Sequence, residues 1–191
     1  MNIVAWRIVH RRFAKIAFTG EGARHFGGRW NSPGRHVVYT AQSQSLAALE
    51  ILVHLDSERL LRHYLAIPVT IPPHLIERVS PSSLPENWRA YPAPRSVRAI
   101  GDAWLGRSSS PVLQVPSVVI PSEFNFLLNP AHPRFSKLRL GKPVPLLFDP
   151  RLARRWHFSG HQPQILSLLH LFRQHHSLLH ATVQCDNSSI Y

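Results

Sequence analysis

Apolar positions in this chain fall in short runs separated by turn-forming residues, and only one stretch carries the density of a buried helix. Residues 2–9 (Asn-Ile-Val-Ala-Trp-Arg-Ile-Val) predict a buried strand and residues 36–40 (His-Val-Val-Tyr-Thr) a second, with glycine-rich turn material between them. A helix is expected next. Ser43 or Ser45 can cap it, and the run from Leu46 to Leu55 is apolar on nearly every face, which predicts burial on most sides. Residues 64–71 (Tyr-Leu-Ala-Ile-Pro-Val-Thr-Ile) suit a strand that Pro68 assigns to an edge or a bulge and that Pro72-Pro73 stops. The Pro- and Ser-dense stretch from Ser80 to Pro94 predicts a loop, and Ser96 to Leu105 a short helix. Val112 to Ile120 reads as a strand interrupted by Pro116, leading into a loop that carries two amides, Asn125 and Asn129. Val144 to Phe148 reads as a last strand, ended by Asp149-Pro150. Short strands outnumber helices without alternating with them, so the expected class is α+β rather than a doubly wound α/β sheet.

A length of 191 residues with 44% hydrophobic content supports one good-sized core. The expected organisation is a single domain over residues 1–153 and a C-terminal extension of unknown role over residues 154–191. The extension differs in character: it holds six of the 13 histidines and the single cysteine, Cys185. Ile165, Leu168, Leu169 and Phe172 keep the spacing of an amphipathic helix within it. It reads as a loosely attached tail, of the kind a frameshift or read-through produces. His157 and His161, and His176 and His180, are four apart but lack the glutamate of an HExxH site, so no metal is expected. Arg7, Arg11, Arg12 and Lys15 interrupt what would have to be the apolar part of a signal peptide. With no apolar run near the roughly 20 residues that span a bilayer, a cytoplasmic protein without membrane contact is expected.

The formal charge of +12 implies an anionic partner: a nucleic acid, a membrane surface, a phosphate-bearing small molecule or an acidic protein. Only Lys15, Lys137 and Lys142 among the 22 cations are lysines. An arginine excess favours planar, bidentate phosphate contacts, although a biased genome composition produces the same skew. The cations are dispersed rather than gathered in a stripe, and no nucleic-acid-binding motif accompanies them, so no direct nucleic-acid partner is expected.

Several residues could carry chemistry. Glu50 is one carboxylate in the middle of an otherwise apolar helical run; such a group is paired, neutralised or facing a cleft, unless it simply points to solvent. Phe26-Gly27-Gly28-Arg29-Trp30-Asn31-Ser32-Pro33-Gly34 joins glycines that allow close backbone approach to a guanidinium fork and a flat ring. It lacks the Walker lysine and the GxGxxG spacing, and an ordinary tight turn fits it equally. Arg7 within the first apolar strand repeats the logic of Glu50 with opposite sign, or else faces outward. Tyr39 is either a core aromatic with a satisfied hydroxyl or part of a site. Ser117 lacks the GxSxG frame of a hydrolase nucleophile, so it and the two amides, Asn125 and Asn129, read as groups that orient a polar ligand, with turn formation the competing account for Asn129-Pro130.

Taken jointly, these segments resemble the RES family, named for its Arg, Glu and Ser residues. The resemblance is carried, in order, by Trp6-Arg7, Gly27 to Asn31, Val37 to Ala41, Ala48-Leu49-Glu50 with Val53-His54-Leu55, Ala99 to Leu105, Val115-Pro116-Ser117, Asn125, Leu127 to Pro130 and His132-Pro133. It covers about residues 3–150 and says nothing of the tail. It implies a fold like that of ADP-ribosyltransferases, a split and mostly antiparallel β core with flanking helices. It implies a bacterial type II toxin that depletes NAD as glycohydrolase or phosphorylase, held by a helix-turn-helix antitoxin. NAD is then a substrate rather than a cofactor, inorganic phosphate an optional acceptor, and a homodimer an open option. A transferase that modifies a protein with ADP-ribose would use the same cleft. Carried over by residue, Arg7 and Arg29 would contact pyrophosphate or ribose oxygens, Tyr39 would meet the nicotinamide riboside, Glu50 would support the charge that develops as nicotinamide leaves, and Ser117 and Asn129 would help bind the substrate. Arg29, Glu50 and Tyr39 form the expected catalytic group.

Overall fold

The computed structural model of the chain describes residues 1–53 and 62–153. The expected helix end at His54 and Leu55, and the extension with its histidine pairs and Cys185, lie outside the described residues.

The class is α+β. Eight strands, β1 (Ile3–His10), β2 (Val38–Ala41), β3 (Tyr64–Ile71), β4 (Ile76–Arg78), β5 (Val112–Pro116), β6 (Phe124–Leu128), β7 (Arg139–Leu140) and β8 (Val144–Leu146), form one sheet in the order β4-β5-β6-β2-β1-β3-β7, with β8 also pairing β3. Every pairing is antiparallel except β4 with β5. Three α-helices accompany it among the described residues: α1 (Glu21–Phe26), α2 (Gln44–Leu52) and α3 (Arg95–Arg107). α2 starts where Ser43 accepts the Leu46 amide at 3.0 Å, a cap that stabilises a helix by about 1 kcal/mol.

The sheet has a weak seam. β1 and β3 are in register along their whole length, from Ile3↔Ile71 to His10↔Tyr64, whereas β1 and β2 share the single pair Trp6↔Ala41. The sheet therefore consists of two halves that part on one side of that pair. Strand alternation sends Ile8, Ala41, Leu113, Val115 and Leu127 to one face. There Leu46 and Ala47 of α2 cover Ile8, Ala41 and Ala66, and Val97 and Trp104 of α3 cover Leu113, Val115 and Leu127. The other face buries Ala5, Val38, Val69, Ile71, Val112, Phe126 and Leu128 against Leu75 and Leu138. Both helices thus sit on one face, over the seam and beside it.

One expectation is met in part and another needs correction. Pro68 does not lie in an edge strand, because β3 is flanked by β1 on one side and by β8 and β7 on the other; it sits at a bulge on that second side, where two β3 residues between Ala66↔Val144 and Val69↔Leu140 oppose three residues of the partner. The Pro68 carbonyl accepts the Gly141 amide at 2.8 Å. In a strand the amide nitrogen and carbonyl of one residue face the same neighbour, so the missing N–H falls in the gap between β8, which pairs residues 64–66, and β7, which pairs residues 69–70. No bond to β1 is lost. The strand expected to run to Ile120 ends at Pro116, residues 117–123 turn back, and residues 124–128, expected as loop, form β6.

Candidate active site

Glu50 projects from α2 and is half-buried. Its Oε1 accepts two hydrogen bonds, from Ser117 Oγ at 2.8 Å and from Asn125 Nδ2 at 2.7 Å. Oε2 accepts none among the described residues. Two donors on one oxygen fix the carboxylate plane and leave its other oxygen available to a ligand.

Ser117 is completely buried at the start of the β5–β6 turn. Its proton goes to Glu50, and its oxygen accepts the Val119 and Ile120 amides, both at 3.1 Å. A hydroxyl offers one donor and two acceptor positions, so none is left over. Ser117 therefore acts on a ligand only through Glu50. Asn125, expected in a loop as an amide that orients a ligand, instead binds Glu50; its position on β6, opposite Ala41 and Val115, is what aims its amide at α2.

Tyr39 on β2 organises the opposite wall. Its hydroxyl donates to Asn31 Oδ1 at 2.7 Å and accepts the Trp30 amide at 3.1 Å, and burial pushes its pKa well above the usual phenol value. The phenol stays protonated with its proton committed to the protein, so what it offers a ligand is ring surface. The residues it holds form a tight turn in which the Gly28 amide donates to the Asn31 carbonyl at 2.9 Å. A side chain at Gly28 would overlap the Tyr39 hydroxyl. Helix α3 locks this turn from behind: the Ser32 amide donates to Asp102 Oδ1 at 3.0 Å, and Gly101 lies so close to the Trp30 carbonyl that no Cβ fits between them.

Arg29 sits at the tip of the turn. Nη1 donates to the carbonyls of Trp88 at 2.9 Å and Ala90 at 3.0 Å, joining the turn to the 80–94 loop. Desolvation lowers its pKa, and the charge of Glu50 acts in the opposite direction, although the two form no ion pair.

Arg7 lies where β1 and β2 part, and Nη1 donates to the Tyr39 carbonyl at 2.8 Å. Its Nε is buried without a partner, and among the described residues no carboxylate pairs with it. Burial pushes its pKa down to about 10, so at neutral pH it is a partly buried cation with no carboxylate beside it among the described residues. Tyr39 thus holds Arg7 through its backbone and the Arg29 turn through its hydroxyl.

The structure joins Glu50 to Ser117 and Arg7 to Tyr39 by hydrogen bonds, and Tyr39 holds the turn that carries Arg29, where the charge of Glu50 is felt; Asn129 bonds none of them among the described residues. Asn129 lies four residues from Asn125, about 13 Å along an extended chain. It is buried, and its Oδ1 accepts the Ala131 amide at 3.1 Å, so the turn account of Asn129-Pro130 describes its side chain. Among the described residues no group of three or more His, Cys, Asp or Glu side chains could hold a metal ion, and no helix is long and apolar enough to cross a membrane.

Comparison with known proteins gives a family. The family model described as RES domain matches residues 4–149. "Toxin Res" of Yersinia enterocolitica is 42% identical over 151 residues, covering 78% of this chain and 99% of that protein. The "Prs ADP-ribosylating toxin" of Sphingobium sp. is 37% identical over 160 residues, covering 81% of this chain and 99% of that protein. Among solved structures, a chain of the M. tuberculosis MbcT-MbcA toxin-antitoxin complex superposes with a TM-score of 0.65 at 21% identity, over 81% of this chain and 88% of that one. This last likeness is one of fold.

Proposed function

The chain belongs to the RES-domain family, and from that footing we propose that it is the toxin of a bacterial toxin–antitoxin system that depletes NAD by cleaving the bond between nicotinamide and ribose. The observation that carries the reading is the state of Glu50, with one oxygen fixed by Ser117 and Asn125, the other free of partners among the described residues, and its charge felt at Arg29 without an ion pair between them. A dinucleotide brings two negative phosphates and a positively charged nicotinamide ring, a charge pattern that matches arginines and a carboxylate.

Nicotinamide departs as a neutral molecule and leaves positive charge on the ribose ring. A carboxylate held rigidly beside that ring stabilises the developing charge more than the ground state, because its orientation is already set when the charge appears. Arg7, partly buried with an unused Nε, and Arg29, anchored by two carbonyls, bind pyrophosphate or ribose oxygens. The Tyr39 ring packs against the nicotinamide riboside. Water or phosphate then attacks C1 of the ribose, giving ADP-ribose or its 1″-phosphate.

NAD loss by the purified chain, with and without added phosphate, tests this directly. Nicotinamide release that Glu50→Gln abolishes, with an unchanged melting temperature, is the expected result. No release under either condition from folded protein refutes the assignment. Transfer of ADP-ribose to a protein is a second reading, favoured by the printed name of the Sphingobium relative; labelled NAD appearing on protein rather than as free product distinguishes it. The relatives named as toxins, and the toxin–antitoxin complex that shares the fold, support a protein antitoxin as partner, and the helix-turn-helix type is the form the family resemblance implies.

A further inference from the structure

A cleft of about 400 Å³ opens where β3 runs into Pro72, with Pro72 and the buried Leu75 in its floor and Arg134, Lys137, Arg139 and His74 among its lining residues. It shares no residue with the group around Glu50. We propose that this cleft is a second binding site, for a phosphorylated ligand of nucleotide size, built from an apolar floor and an arginine and lysine rim.

Three observations support the assignment. Arg134, Lys137 and Arg139 are permanent cations in one concavity, and among the described residues none of them pairs with a carboxylate. Like charges gathered without acids repel one another, and a bound anion relieves that repulsion. The rim is also preorganised. Arg134 Nη2 donates to the Ser109 carbonyl at 2.9 Å, Arg139 is registered opposite Thr70 in the β3–β7 ladder, and Lys137 immediately precedes Leu138, which is anchored in the core. A guanidinium already held at one nitrogen gives up little freedom when its remaining donors take a phosphate. Finally, the volume lies within the roughly 300–1,000 Å³ of small-molecule sites, and a floor of proline and leucine suits the face of a base. A strand of nucleic acid would call for a basic stripe along the surface, whereas these cations line a pit.

ATP serves as probe, with titration calorimetry on the full chain. Lys137→Gln/Arg139→Gln changes two exposed side chains, keeps the backbone pairing and leaves the NAD cleft intact. The expected result is ATP binding to wild type and to Arg7→Met alike, at least about tenfold weaker in the double variant, with NAD turnover of the double variant unchanged. Tripolyphosphate should bind more weakly than ATP, since it cannot use the floor. No ATP binding by wild type overturns the proposal. So does binding that Arg7→Met removes and the double variant keeps, because it then belongs to the NAD cleft. Equal affinity for tripolyphosphate and ATP overturns the nucleotide assignment, and tighter binding of a single-stranded oligonucleotide than of ATP overturns the small-ligand assignment.

Discussion

Replacing Asn125 with alanine tests whether the orientation of Glu50, rather than its mere presence, sets the rate. The amide donates to Glu50 Oε1 at 2.7 Å, alongside the Ser117 hydroxyl at 2.8 Å. A hydrogen bond to a charged acceptor contributes about 1.5–3 kcal/mol. With one of the two removed, the carboxylate pivots on Ser117 and spends much of its time away from the reacting carbon. If half to all of one such bond is felt only in the transition state, kcat falls by roughly threefold to a hundredfold, since each 1.4 kcal/mol is a factor of ten. KM should change little, because the arginines that hold the phosphates are untouched. Asn125 is half-buried and its side chain bonds nothing else among the described residues, so the melting temperature should stay close to wild type. Ser117→Ala makes the informative contrast: it loses the same kind of bond and also strands the Val119 and Ile120 amides, so it should cost stability as well as rate. Steady-state NAD turnover and thermal unfolding of both variants decide the matter. An Asn125→Ala enzyme with wild-type kcat would refute the idea that two donors hold the carboxylate for catalysis. A double variant no slower than the worse single variant would support it, because residues serving one group are not additive.

Two further outcomes follow from the same geometry. Arg7→Met should raise KM for NAD by at least about tenfold through loss of a phosphate contact, while raising thermal stability at neutral pH, because it removes a partly buried cation whose Nε has no partner. The sign follows from linkage: the folded protein holds the Arg7 proton less tightly than the unfolded chain, so the cost is fully present below about pH 10 and is relieved only as pH rises through that value; a melting temperature that drops in Arg7→Met at pH 7 contradicts it. Gly101→Ala should destabilise the protein by about 1–3 kcal/mol and loosen the Arg29 turn, because the added methyl collides with the Trp30 carbonyl; denaturant unfolding that leaves its midpoint unchanged would show that α3 can back away without consequence.

Much of the fold was legible in the sequence wherever apolar alternation met a strong stop. β3 occupies the residues expected of it, Tyr64–Ile71, because Pro72-Pro73 ends it unambiguously. The α2 start at Ser43 followed from cap chemistry. The misplacements share a cause, since they depend on which neighbour a strand meets. A proline is tolerated inside a sheet when the neighbouring strand changes at that residue, and no local pattern announces that Gly141 will donate to Pro68. β6 was hidden because Asn125 and Asn129 bracket its apolar core, and asparagines ordinarily mark turns. One of them does mark a turn, while the other is a strand residue aimed at a carboxylate.

The candidate site divides along the same line. Glu50 and Arg7 stood out in the sequence because each is a charge in an apolar run, and an uncompensated charge is conspicuous at any distance from its partners. Asn31, Gly101, Asp102 and Asn125 stand out only through the family resemblance, since by residue pattern they are ordinary polar or small residues until the fold brings them to Tyr39, Trp30, Ser32 and Glu50. The charged groups are thus visible as local anomalies, whereas the role of the groups that hold them in place is visible only as contacts. Substitutions in the second set should therefore lower the rate through the aim of Glu50 or Arg29 rather than through lost charge, and the joint behaviour of Asn125→Ala and Ser117→Ala separates those two routes.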